Sequence, residues 1–339
     1  MQIECKPLFE DTRFPQLITP KSGQGDSAAL ADWAGAEPAQ LRALLLEHGA
    51  LLFRGFGIHN PDALEAFNVA AGFGHLPYVR GVSPRHLVKG HVYTATDLKN
   101  IYPIPLHNEM SYTRTFPDAI SFACSEPPKS GGETPLADMS LVLERIPEAI
   151  RSEFKDKQIL YVQDVPEKVT RLVPKSWPQM FDTTDRAVVD AACEKQGIEA
   201  TWKADGGVRL KSVCPAIVNH PKTKRPLWFN QAHVYHPSFA EELWRIGLRG
   251  MAIGAAALEF AARRFPDAGL YPHRTCFGDG STICRRTMHI IRDAIWQETR
   301  QFSWQRGDML LIDNLQLAHG RTPFRGRRSV LASLLVEPN

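Results

Sequence analysis

Gly307-Asp308-Met309-Leu310-Leu311-Ile312-Asp313-Asn314, continued by LQLAHGRTPF (315–324) and then GRRSVLASLLV (326–336), is the stretch whose reading decides the fold. A glycine turn enters an uninterrupted apolar run that ends in an acid and an amide. The run Met309–Asp313 reads as an apolar strand, and Ser329–Val336 as a second. His319 leaves the first strand six residues after Asp313, and Arg328 stands nine residues further on, at the start of the second. An arginine turned inward at that point needs a buried anion; a solvated pair with Arg327 is the alternative.

Working back from this end, the chain alternates short strands with helices. Pro38–His48 reads as a helix with proline in its first turn, an apolar face of Leu41, Leu44 and Leu45, and Gly49 as its stop. Ala50–Arg54 follows as a strand. Asn60 caps a second helix that runs to Gly72. Residues 73–105 read as irregular. Strands are expected at 120–125, 159–165, 208–213, 216–219 and 227–230. Helices are expected at 139–146, near 184–196, and over two long spans, 240–264 and 283–301. Strands at both ends with helices between them point to one mixed α/β domain over residues 1–339. Its core is β, with a helical insert at about 166–300.

Composition narrows the class. The 339 residues carry 40 Lys+Arg against 37 Asp+Glu, so the net charge of +3 offers no electrostatic reason to bind nucleic acid or an anionic membrane. No apolar run is long enough to span a bilayer. The beginning has no secretory-signal pattern. The six cysteines form no CxxC pair, which argues against a thiolate zinc site and against a disulfide framework. A reduced, cytoplasmic protein is expected.

The sharpest chemical feature is Leu106-His107-Asn108-Glu109-Met110. In an extended segment residues two apart share a side, so His107 and Glu109 would present an imidazole and a carboxylate to one point. That is two-thirds of the 2-His-1-carboxylate triad of non-haem Fe(II) oxygenases. About one His-x-acid triplet arises by chance at this composition, so the motif needs company. Gly131-Gly132-Glu133-Thr134-Pro135 by itself is a turn.

Taken together, these stretches resemble one family. IPLHNEMSY (104–112), FPDAISFACSEPPKSGGETPLAD (116–138), FGDGS (277–281), WQRGDMLLIDNLQLAHGRTPF (304–324) and the following GRRSVLASL are similar in order to TauD/TfdA-like Fe(II)/2-oxoglutarate-dependent oxygenases. The likeness is to the HxE branch that includes clavaminate-synthase-like and SyrP-like hydroxylases. LLFRGFGI (51–58) and the VSPR and VYTAT segments (82–85, 92–96) also look familial. The resemblance implies a double-stranded β-helix, or jelly roll, flanked by helices. It implies His107, Glu109 and His319 as iron ligands, and Thr134 and Arg328 (or its neighbour Arg327) as the hold on 2-oxoglutarate. The cofactors implied are Fe(II), 2-oxoglutarate and O2. Taurine-type members carry a sulfonate-binding arginine four residues beyond the 2-oxoglutarate arginine. Ala332 stands there, which speaks against a taurine-like substrate. The presence of Glu109 favours hydroxylation over halogenation.

The implied substrate is an amino acid or amino-acid-derived group, free or presented on a carrier protein. Asn108, Met110, Ser111 and Tyr112 beside the metal motif, and Trp228 to His233 with Asn230 and His233 foremost, are the candidate substrate contacts. Asp313 and Asn314 are candidates to orient the ligands. His220, His233 and His236 read as polar lining or surface. Arg80, Arg85 and Arg274 read as solvated, with contact to an anionic substrate as the alternative. Desaturation, epoxidation and cyclisation need the same cofactors. A zinc hydrolase would use the triad but has no use for Arg328, and a jelly-roll binding protein would show no 2-oxoglutarate turnover.

Overall fold

The computed structural model describes residues 1–21, 25–77, 85–96, 98–170, 173–265 and 270–338. Arg80 and the first part of the VSPR segment lie outside them.

Alternation along the predicted C-terminal strands organises the molecule. Leu310 and Ile312 of Met309–Asp313 point to one side, Met309 and Leu311 to the other, and each pair joins a different apolar cluster. This strand is central in a nine-stranded sheet, antiparallel to Ala50–Phe53 on one edge and to Ala119–Glu126 on the other. Ser329–Val336 continues the sheet beyond Ala119–Glu126. On the Met309/Leu311 face lie the helices Ser27–Ala36, Pro38–His48 and Pro61–Ala70, which contribute Leu30, Trp33, Leu41, Leu64 and Phe67. Asp26 and Asn60 cap the first and third of these by accepting from the backbone N–H three residues on.

The Leu310/Ile312 face packs on a smaller antiparallel sheet through Ala50, Leu52, Phe122, Val330 and Leu334. The smaller sheet is ordered Thr299–Phe302, Thr134–Asp138, Leu317–Arg321, Ile104–His107, and adds Leu136, Phe302 and Leu317 to the shared interior. Its other face presents Leu106, Ala137 and Ala318 to a cluster built on the helices Met139–Arg145 and Arg285–Gln297. The mixed α/β architecture is therefore layered: helices, large sheet, small sheet, helices.

The spans differ from expectation in several places. Residues 73–105, read as irregular, carry the short strands Gly74–His75, Leu87–Lys89 and Val92–Thr94 and the start of Ile104–His107, each too short to show periodicity. The long helix over 240–264 is two, Ala240–Arg245 and Arg249–Arg264, broken where Gly247 takes φ 81°. The helix expected over 283–301 stops at Gln297. Thr299–Phe302 is instead an edge strand paired with Thr134–Ala137, a tertiary partner that local periodicity cannot reveal. The segment expected as a helical insert carries a four-stranded antiparallel sheet as well. In it, Ile159–Val165 lies between Val208–Cys214 and His273–Phe277, with Glu199–Trp202 on the outer edge. No helix among the described residues is long and apolar enough to cross a membrane.

Candidate active site

Register in the small sheet does what sequence distance hides. His319 is the direct cross-strand partner of His107, and Leu136 pairs His319 from the other side. Gly320 makes the pairing possible, because a Cβ there would sit 2.6 Å from the carbonyl oxygen of Ile104. The two imidazoles lie with centroids 4.5 Å apart. Glu109 completes the group: the candidate ligand atoms of His107, Glu109 and His319 all lie within 4.8 Å of one another.

Glu109 does not arrive by strand alternation. The strand ends at His107, and Glu109 sits in the turn that follows, with Met110 at φ 57°. Asn314, fully buried, fixes that turn from across the fold. Its Oδ1 accepts from the Glu109 N–H at 2.7 Å, and its Nδ2 donates to the carbonyls of Glu109 and Pro117. Asp313 closes its own turn by accepting from Leu315 and Gln316 N–H, and also accepts from His220 Nε2 at 3.1 Å. His220 Nδ1 meanwhile accepts from two backbone N–H groups, which leaves Nε2 as the donor.

The electrostatics suit a divalent cation. His107 Nδ1 donates to the Pro105 carbonyl at 2.9 Å, so its Nε2 lone pair faces Glu109. Burial holds the His319 imidazole neutral, and its Nδ1 has no hydrogen-bond partner among the described residues. Burial alone would raise the Glu109 carboxyl. The Arg85 guanidinium outweighs burial and holds it well below the usual carboxylate range. Arg85 is itself buried and ion-paired to Glu109, so its reading as a solvated cation is corrected. Arg274 pairs with Asp164 and stays half-exposed.

A small cavity runs from the two histidines to Arg328, bordered by Phe122, Thr134, Trp304 and Val330. Arg328 donates through Nε to the Gly132 carbonyl. Among the described residues no carboxylate forms an ion pair with it. Burial, then the charge of Arg321, pushes its pKa down to about 10, so it remains a buried cation at neutral pH. Arg327 is exposed and borders no part of this cavity. Thr134 Oγ1 accepts from Trp304 Nε1 at 2.9 Å, which leaves the hydroxyl proton free to donate. The Gly131–Gly132 pair brings this turn close: both have φ 72°, and a Cβ on Gly132 would meet Arg328 Cδ at 3.1 Å. Ala332 lies buried in the apolar interior between the sheets.

A second cavity, of about 380 Å³, shares Arg85 and His107 with the first and adds Glu109, Tyr112, Gln231, Tyr235 and His273. Of the substrate candidates, Asn108, Met110, Ser111, Asn230 and His233 border neither cavity, whereas Tyr112 and Gln231 line the second. Asn108 Nδ2 donates to the carbonyls of Asn314 and Leu315; Asn230 bridges Ala216 and Ala232; His233 Nε2 meets the Leu106 carbonyl at 2.8 Å. Met110 is core, and Ser111 is buried. These residues build the wall behind the site rather than its lining. His220, His233 and His236 are buried rather than surface, and His236 borders a larger cavity away from the triad. Tyr235 and His273, which also line the cavity shared with Glu109, carried no local signal beyond lying in the inserted segment.

Arg321 is a further buried guanidinium that the sequence did not single out. It donates to the carbonyls of Thr96, Leu98, Lys99 and Tyr102 and so holds the chain leading into the Ile104–His107 strand.

Known proteins show the same arrangement of chain. A clavaminate synthase-like protein of Arabidopsis thaliana is 31% identical, covering 96% of this chain and 94% of its own length. The dapdiamide synthesis protein DdaC of Enterobacter agglomerans is 29% identical, over 97% and 93%. The PvcB protein of Pseudomonas aeruginosa, at 17% identity, superposes over 99% of this chain and 92% of its own with a TM-score of 0.54. PvcB is described as an Fe, α-ketoglutarate-dependent oxygenase from an isonitrile synthetic pathway. The profile of the "Taurine catabolism dioxygenase TauD, TfdA family" matches residues 13–334, and the chain belongs to this family of Fe(II)- and 2-oxoglutarate-dependent dioxygenases.

Proposed function

We propose that this dioxygenase hydroxylates an unactivated C–H bond of an amino acid or amino-acid-derived substrate, free or tethered to a carrier protein, on a double-stranded β-helix core. The observation that carries the reading is the joining, by one small cavity, of the triad and Arg328, which no carboxylate among the described residues pairs. His107, Glu109 and His319 hold iron, and Arg328 and Thr134 hold 2-oxoglutarate. When bound, iron with 2-oxoglutarate and O2 supplies an oxidant able to break such a bond while the co-substrate is decarboxylated to succinate.

The protein's own contribution is position and charge. Two neutral imidazoles and one carboxylate leave adjacent coordination positions open. The Pro105 carbonyl fixes the His107 tautomer, and Asn314 fixes the Glu109 turn. Arg328 meets a distal carboxylate as a fork, and the Thr134 hydroxyl adds a donor. Phe122, Trp304 and Val330 keep water away from that end.

The substrate side rests on Arg85. Its guanidinium, ion-paired to Glu109, borders both cavities and so stands where a substrate carboxylate would lie next to the metal position. Buried Ala332 offers no sulfonate anchor. The likeness to DdaC, a protein of dapdiamide synthesis, supports amino-acid-related chemistry.

Anaerobic addition of Fe(II) and then 2-oxoglutarate tests the cofactor assignment: a weak visible charge-transfer band is expected, and its absence sinks it. Mass spectrometry of products from free and carrier-bound amino acids then tests the substrate class. Succinate release that no amino-acid substrate stimulates would remove that part of the reading.

A further inference from the structure

Outside the active site, a second group of metal-competent side chains converges from three elements. Glu65 lies on the Pro61–Ala70 helix. His75 ends the short Gly74–His75 strand, which pairs with Leu335–Val336. His91 occupies the turn between Leu87–Lys89 and Val92–Thr94. Their candidate ligand atoms all lie within 4.8 Å of one another. None of the three borders either active-site cavity.

The distances suit a four-coordinate ion. Metal–ligand bonds of about 2.0–2.1 Å in a tetrahedron put ligand atoms about 3.3–3.4 Å apart. Here His91 Nδ1 lies 3.1 Å from Glu65 Oε1, and His75 Nε2 lies 3.8 Å from the same oxygen. The imidazoles stack with centroids 4.2 Å apart and planes 8° from parallel. Stacked in parallel, the rings do not both aim at one point, so binding an ion requires one ring to turn about its Cβ–Cγ bond. His91, half-exposed, has the room to do so.

The group also has polar capacity that the fold does not use. Among the described residues, neither ring nitrogen of His75 has a hydrogen-bond partner, and Glu65 Oε2 is buried without one. Such atoms are unfavourable in a folded protein unless something takes their lone pairs. Burial lowers the pKa of His75 against the opposing pull of Glu65, so its imidazole is neutral and its lone pair available. The nearby cation Lys89 is ion-paired to Asp62. Two imidazoles and one carboxylate favour a borderline ion such as zinc over calcium or magnesium, which call for oxygen ligands.

We propose that Glu65, His75 and His91 form a second divalent-metal site, of zinc type, with solvent as its fourth ligand. The ion ties the helix, the short strand and the hairpin that follows Arg85. It does not depend on the function proposed for the triad.

Zinc alone is the probe, and the protein is the full chain without a histidine tag. A His107→Ala/His319→Ala form should bind one zinc per chain in equilibrium dialysis with metal analysis. Cobalt in its place should give the visible d–d absorption of a four-coordinate ion. Loss of an outer partner costs a metal site about 10–100-fold, so His91→Ala, at a half-exposed turn, should weaken binding by at least about 100-fold. Glu65→Gln, which keeps shape and removes charge, should do likewise. Should the double variant fail to fold, the unaltered chain is expected to take up two equivalents of cobalt and its His91→Ala form one. No zinc in the triad-disabled chain, or unchanged affinity after His91→Ala, overturns the proposal.

Discussion

Two sets of buried histidines lie on either side of the Ile104–His107 strand, and they differ in the charge beside them. His107 and His319 face the Glu109 carboxylate. His233 and His236 face Arg292, a fully buried guanidinium that donates to the His233 carbonyl at 2.8 Å and to Ser238 Oγ at 2.8 Å. His236 spends both ring nitrogens, on Ser238 Oγ and the Ile283 carbonyl. His233 spends one, on the Leu106 carbonyl. Burial keeps the His319, His233 and His236 imidazoles neutral, but only in the first set does a carboxylate meet the imidazoles at one point; Glu241 and Glu242, near the second, are paired to Arg292. The second is a polar brace that holds the first in register.

The largest test of that contrast is removal of the anion. Glu109→Ala should bring 2-oxoglutarate-dependent succinate formation to background, with iron affinity lowered more than about 100-fold. Measured iron content and turnover close to those of the unaltered chain would erase the distinction between the two sets.

Arg85→Gln probes the same carboxylate from the other side. Without metal, Glu109 would be left as a buried, unpaired charge, and breaking such a pair costs about 3–5 kcal/mol. Thermal melting should fall sharply in the metal-free protein and recover largely on adding Mn(II) or Fe(II). An equal loss in both states would mean that Arg85 supports the fold independently of the metal position.

Arg328→Ala removes the cation at the far end of the small cavity. The requirement for 2-oxoglutarate should rise by about 2–5 kcal/mol of lost pairing, and Arg328→Lys, which keeps charge but not the fork, should fall between. Arg327→Ala, at an exposed position, is the control and should leave the requirement unchanged.

What the sequence disclosed follows from where each contact is decided. The two apolar C-terminal strands were legible because alternation and burial are local properties. Pro38–His48 was legible to the residue, since its proline and glycine are local stops. The pairing of His107 with His319 was not local, and only resemblance over the whole chain reached it. The reading of the HxE motif as alternate strand residues failed because Asn314, far along the chain, folds Glu109 into a turn. The polar residues beside the motif drew attention as substrate contacts. Buried polar side chains next to a site are as readily spent on backbone carbonyls, which is how Asn108 and Asn230 are used.

The smallest effect concerns the brace, and its sign distinguishes it from the metal site. Burial, with the charge of Arg292, lowers the pKa of His233 to about 3. Burial also lowers that of His236, to about 4, against an ordinary value of 6.5. Between those values the unfolded chain binds protons that the folded chain refuses, so stability rises with pH across the window. The full contribution is present above pH 6.5 and is lost as pH falls toward 4. His236→Asn, which retains a side-chain acceptor for the Ser238 N–H, should flatten this dependence by about 2–3 kcal/mol over that range in denaturant melts. Iron affinity at neutral pH should change little, because His236 touches neither cavity that borders the triad. A variant that lost iron as readily as it lost its acid sensitivity would show that brace and metal site are one unit, and that the sign of the neighbouring charge does not separate them.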